Sequence, residues 1–352
     1  MSVRRAISHP AFALGAGVLA LGACAALGAQ SPRENLLSYL WSYWFWLGIP
    51  LGGAVLLLVH ALTGGEWGER LRIPLVASTR TLPLFAVLVL PLVIGNDTLY
   101  GHVAADETLA YARQIYMGMP FVACRAVVYF GLLMLVSRAA TARPTPGAAA
   151  AGVIVYAFVL LAATADWSTR LVPGWHSSAA GLIAATAQIG NAAAFAALYI
   201  CVRDALGGGR GDIGLLLLTL VLAWAYVLFM EYLTVWTADL PAETAWYLPR
   251  TETTWRRLSL SLAIVHGVLP FALLLSPAVR RSARGVGAAA ALLLVGGALD
   301  ACWRILPSAR RGGVVLHPSD ALAFLGIGAC WWAALRYTLH RDSHLDEAPA
   351  HG

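Results

Sequence analysis

The sequence predicts an all-α polytopic membrane protein with about ten transmembrane helices, and three observations lead to that reading. Of 352 residues, 59% are hydrophobic and only 12% charged, about half the charged share of an ordinary soluble domain. Apolar runs long enough to cross a bilayer recur along the whole chain. The polar connections between them are short, and most ionisable residues lie there. Residues 1–339 therefore read as one integral membrane domain, and 340–352 as a short disordered tail.

Composition also excludes some functions. All 24 basic residues are Arg, scattered through short loops, so the net charge of +6 points to no nucleic-acid partner. Cys24, Cys124, Cys201, Cys302 and Cys330 are widely separated and sit mostly in apolar runs. No C-x-x-C or C-x-x-C-H occurs, so neither an iron–sulphur cluster nor a covalently attached haem is supported. Only His60 and His266 fall within the spans, on different helices, which makes a weak axial pair for a b-type haem. The chain is expected to bind no redox cofactor of its own.

In chain order, the first span runs from about Ala11 to Ala29, after Arg4 and Arg5. Leu21-Gly22-Ala23-Cys24 resembles a lipoprotein processing site, but the apolar run continues past it and favours a retained helix over a cleaved leader. The second, about Leu36 to Leu62, opens with Tyr39, Trp41, Tyr43, Trp44 and Trp46, which read as an aromatic belt at the water–lipid boundary. Gly48, Gly52 and Gly53 permit close helix contact, Pro50 predicts a kink, and Gly64-Gly65 after His60 predicts a stop and turn. The third, about Leu82 to Ile94, carries Pro83 and Pro91, and a polar loop from Asn96 to Gly118 follows.

The fourth span, about Met119 to Val136, holds Arg125 two turns from its start, with Tyr129 on the same face. The fifth, about Ala148 to Thr164, runs into Asp166-Trp167. The sixth, about Ser178 to Val202, carries Gln188 and Asn191 at i and i+3, a polar patch expected to face neighbouring helices. The seventh starts at Leu215 and holds one carboxylate, Glu231, about two turns before its far end. An ionisable group at that depth is costly and normally has a partner in a bundle interior or a wet cavity. A neutral, locally satisfied acid and a group in proton or quinone chemistry both fit.

After Glu231 comes an acidic, proline-containing cap, Asp239 to Thr244, and then Trp246-Tyr247. The eighth span, about Leu258 to Ser276, holds His266 and Pro270. The ninth, about Gly287 to Leu306, includes Asp300 and Arg304, an i,i+4 pair read as structural. The tenth is about Ala321 to Leu339. The larger share of the Arg residues lies on the side of the N-terminus, which predicts cytoplasmic termini. Glu231, Arg125 and Asp166 then fall near the outer face and His60 near the inner. At matching depths from one face, Arg125 and Glu231 are expected to be partners.

The segment from Ser38-Tyr39-Leu40 through Trp44-Phe45-Trp46-Leu47-Gly48 to His60-Ala61-Leu62-Thr63-Gly64-Gly65 and Trp67-Gly68 resembles one membrane subunit of alternative complex III. Arg80-Thr81-Leu82-Pro83-Leu84, Arg125 to Phe130, Asp166-Trp167 with Trp175, and Tyr232 to Tyr247 carry the resemblance on in the same order. It covers roughly Ser38 to Pro277. It implies the F-type subunit of a respiratory quinol-oxidising complex, similar to polysulphide-reductase membrane subunits. Two four-helix bundles are implied, about residues 36–165 and 178–306, with the first and last helices peripheral. The implied partners are a multihaem cytochrome c, an iron–sulphur subunit, a paralogous ten-helix subunit and a terminal oxidase. Haems and clusters would reside in those partners, while this chain supports assembly and quinone binding or proton conduction.

The candidate site residues are Glu231, Arg125, His60, Asp166, Gln188 and Asn191 for buried polar or proton-path roles. Trp246, Tyr247, Trp167 and Trp175, with Tyr100 in the 97–113 loop, are the candidates for docking partner subunits. Three departures from the family pattern stand out, one of them Arg72-Ile73-Pro74-Leu75-Val76-Ala77 where an Arg-rich, Glu-containing stretch is the pattern. Val59 and Ala61 flank His60 where a second histidine is the pattern, and Glu231 stands where an amide is. A reading from another class remains: a secondary transporter acting alone, for which ten spans, proline-broken helices and buried Arg125 and Glu231 are also natural.

Overall fold

The computed structural model describes residues 10–104, 115–172, 174–203, 210–252, 254–310 and 312–346. Among these the regular structure is helical, and ten helices are long and apolar enough to cross a membrane. They are Pro10–Gly28, Pro32–Thr63, Glu66–Ile94, Met119–Thr141, Pro146–Leu171, Ala180–Val202, Gly211–Ala238, Trp255–Leu275, Ala283–Ala309 and Pro318–Arg341, called the first to tenth spans below. The chain is an all-α polytopic membrane protein. The tenth helix continues to Asp346, so the stretch from His340 begins as helix and not as the expected tail. Residues 105–114, between the third and fourth spans, lie outside the described residues.

The second to fifth spans pack together, as do the sixth to ninth. The second span joins the two bundles by packing on the sixth and the ninth, and the first and tenth pair with each other against its outer side. This is the expected grouping, with one helix at its centre. Twenty residues of the second helix are buried, including an unbroken run from Leu47 to Leu58.

Small residues make that centre possible. A Cβ on Gly52 would stand 2.1 Å from the carbonyl oxygen of Gln188, so the second and sixth spans meet backbone to side chain-free backbone. Gly48 lies against the Gln188 side chain, and Gly53 against Ser78 and Thr79 of the third span. Gly190 on the sixth span faces open space. Gly52→Ala should therefore cost about 1–3 kcal/mol as overpacking. Gly190→Ala should be neutral or stabilise by up to about 1 kcal/mol through helix propensity. Thermal midpoints of the two variants in one detergent check this, and equal shifts would contradict the close crossing.

Two expectations for this half are corrected. The third span begins at Glu66, not near Leu82, because Glu66–Thr79 is already helical. Ion pairs answer charges in its first turns: Arg70 pairs with Glu66 at 3.2 Å and Arg143 with Glu69 at 3.5 Å. Breaks follow at Arg80–Thr81 and at Val89, each before a short helix with proline in its first turn. The aromatic run of the second span is not a lipid-boundary belt. Tyr39, Tyr43 and Trp44 are buried, and the Tyr39 and Tyr43 hydroxyls donate to the carbonyls of Leu88 (2.7 Å) and Phe85 (3.0 Å) in the broken third span.

Candidate functional site

Most buried charge lies at one end of the bundle, the end opposite the chain termini. Arg125 is one turn and a half into the fourth span, and Asp166 is near the end of the antiparallel fifth. Their short connection, Ala142 to Thr145, makes these spans neighbours, so the two side chains meet. Arg125 Nε and Nη2 donate to the two carboxylate oxygens of Asp166 at 2.8 and 2.9 Å. Nη1 donates to the Tyr116 carbonyl at 2.7 Å, and Tyr129 Oη donates to Asp166 at 2.8 Å. The expected Arg125–Glu231 pair does not form. A planar guanidinium takes both oxygens of the nearest carboxylate, and Asp166 offers them from the adjacent helix of its own bundle.

Glu231 is 6% exposed and lies in the other bundle. Its neighbours on the seventh span, Met230 and Tyr232, are exposed, whereas the acid faces the protein. Ser177 donates its hydroxyl to one carboxylate oxygen. Tyr247 donates to the other at 3.3 Å. Ser177 also accepts the backbone N–H of Ala180, which ties the acid to the start of the sixth span. The sequence groups Tyr247 with the docking aromatics. Ser177 carries no sequence signal that sets it apart from Ser178.

Two cavities flank this acid. One, of about 320 Å³, includes Glu231, Thr234 and Glu243 on one wall and His176, Ser177 and Ser178 on the other. The second, of about 540 Å³, is a largely apolar crevice between the seventh and eighth spans whose end reaches Tyr247 and Arg250. Burial and the nearby Glu231 carboxylate raise the pKa of Tyr247, which keeps its phenol a proton donor to that acid. Burial, and then Arg304, lower that of Arg250.

The polar layer continues on the ninth span. Arg304 clasps Asp300 through two bonds of 2.7 and 2.9 Å, and Trp224 Nε1 donates to Asp300 at 3.3 Å. Arg250, 1% exposed, donates to the carbonyls of Trp246, Trp303 and Arg304 and to the Ser308 hydroxyl. Its guanidinium lies 3.4 Å from the Trp246 ring centre. Arg310 joins Glu34 (2.7 Å) and Asp320 (2.9 Å), which links the ninth span to the second and tenth. Neither Arg250 nor Arg310 stood out in the sequence, because both lie in short connections among other arginines.

The remaining candidates occupy separate places. Gln188 accepts from the Tyr156 hydroxyl at 3.0 Å, and Asn191 packs against Gly297, so this patch faces neighbouring helices as expected. Gln188 Nε2, Asn191 Oδ1 and His266 Nδ1 are buried without a partner among the described residues. His266 lies in a π-helical turn, Ala263–Val268, with its ring 4.4 Å from that of Trp224. His60 is at the other end of the bundle, where its Nε2 bonds the Gly65 carbonyl at 3.0 Å beside Trp67.

The docking candidates are corrected. Trp246, Trp175, Trp167 and Tyr247 are 3, 5, 6 and 8% exposed, and Tyr100 is also buried. Trp175 stacks on Trp246 at 5.0 Å, and Trp246 meets Trp303 edge-on at 5.1 Å. Trp167 packs among Tyr43, Trp44 and Tyr129. These rings close the end of the bundle from inside and offer no surface to another protein.

Fold and site together define a multi-pass membrane protein with a hydroxyl-clasped carboxylate beside a cavity that His176 and Glu243 also line. No family model matches the chain, and no curated protein matches it.

Proposed function

We propose that the chain is a membrane subunit of a quinol-oxidising respiratory complex of the alternative complex III kind, without a redox centre of its own. It would lie in a bacterial inner membrane with both termini cytoplasmic, beside partner subunits that hold the haems and iron–sulphur clusters. Its part would be structural support and proton exchange at Glu231. The observation that carries this reading is the placement of Glu231. A buried carboxylate that accepts from Ser177 and Tyr247 and borders a cavity with His176 and Glu243 has what a proton-exchanging group needs. The ordered resemblance from Ser38 to Pro277 supplies the complex.

Glu231→Gln tests it. Glutamine can still accept from one hydroxyl, so the complex should assemble, while quinol-driven proton release should fall by about ten-fold or more. Unchanged proton release in an assembled complex would remove Glu231 from the mechanism. One observation favours the transporter reading: the third span is broken and the eighth carries a π-helical turn, at corresponding positions in two five-span halves. A chain that purifies without partners and moves a solute in liposomes would establish that reading instead.

A further inference from the structure

We propose that the crevice between the seventh and eighth spans holds one acyl chain of an anionic phospholipid, with its phosphate on Arg256 and Arg257. The crevice has a volume of about 540 Å³, and its wall is almost wholly apolar. On the seventh span it extends from Val221 to Tyr232, about 16 Å at the helical rise. That is about half the hydrocarbon thickness of a bilayer, the depth of one leaflet. Leu222, Phe229 and Val268 on its rim are exposed, so it opens sideways toward lipid and not toward water.

The outer end of the crevice is where charge gathers. Ser259 and Ala263 line it from the eighth span. Arg256 lies three and seven residues before them and so shares their helix face. Helical side chains lean toward the N-terminus, which carries the Arg256 guanidinium up to the membrane boundary above the crevice. Arg256 and the adjacent Arg257 are exposed, and among the described residues neither forms an ion pair. Arg250 forms part of the inner wall, with carbonyl and hydroxyl acceptors but no carboxylate on it. Two exposed cations at the mouth of an apolar slot one leaflet deep, with the buried Arg250 behind them, fit a phosphodiester on an acyl chain. A neutral amphiphile would leave that charge unanswered.

The test is native mass spectrometry of the full-length chain, exchanged from detergent into mixed micelles holding phosphatidylglycerol or phosphatidylcholine. The wild type should retain one phosphatidylglycerol in preference to phosphatidylcholine. Arg256→Gln with Arg257→Gln should weaken that retention by roughly ten-fold or more, the scale of two cations at a membrane surface, and Lys at both positions should restore most of it. Ala263→Phe, which fills the crevice, should abolish retention with the arginines intact, and an unchanged thermal midpoint would show that it still folds. Equal retention of phosphatidylcholine, retention of a quinone in its place, or indifference to both the Gln pair and Ala263→Phe would overturn the proposal.

Discussion

Arg125→Ala is expected to cost about 3–5 kcal/mol, because it leaves the buried Asp166 carboxylate without its counter-charge. Asp166 is 4% exposed, and the guanidinium holds both of its oxygens. After truncation, among the described residues, the Tyr129 hydroxyl at 2.8 Å and the Tyr116 hydroxyl at 3.4 Å would remain on it. The same change also frees the Tyr116 carbonyl, which accepts from Nη1. Arg125→Leu combined with Asp166→Leu should cost less than Arg125→Ala alone, since it removes both charges together. Glu231→Gln should leave the stability cost of Arg125→Ala unchanged, because the two sites belong to separate bundles. Thermal midpoints of the single and double variants in detergent check all three statements. A strong coupling between positions 125 and 231 would contradict the pairing described above.

That pairing shows where sequence reading stops. The ten spans were legible because a bilayer demands about twenty apolar residues for each crossing, whatever the neighbours. Asp300 and Arg304 were legible as a pair because both sit on one helix, four residues apart. Arg125 had two acids at matching depth, Asp166 and Glu231. Depth along the membrane normal does not decide which helices touch. The short turn after Thr141 decides it, by making the fourth and fifth spans neighbours. The start of the third span was hidden by Glu66, Glu69, Arg70 and Arg72, four charges that read as a loop. Helical spacing lets Arg70 reach back to Glu66 instead. Aromatic residues were the least legible of all. The same Tyr and Trp composition suits a lipid boundary, a docking surface or an interior. Only the partners of the rings, such as the Leu88 and Phe85 carbonyls for Tyr39 and Tyr43, show that these are interior. Ser177 had no signal, because its value lies in a contact across 54 residues of sequence.

Trp246→Ala should be among the most damaging single changes in the chain, at about 3–5 kcal/mol for a large buried aromatic side chain. Trp246 is 3% exposed and stands between Trp175 and Trp303. It also supports the guanidinium of Arg250, 3.4 Å from its ring centre. Arg250→Ala should be comparably severe. It would leave the carbonyls of Trp246, Trp303 and Arg304 short of a donor in a buried place, and each unmet buried acceptor costs about 1–3 kcal/mol. The effects of the two substitutions should add to less than their sum, because each removes part of what the other depends on. Monodispersity on size exclusion and the thermal midpoint of each variant are the measurements. If Trp246→Ala left both unchanged and only released other proteins from the purified material, the ring would be a docking residue. The expected result is the opposite: loss of the folded chain, with Gly190→Ala as the unaffected control in the same preparation.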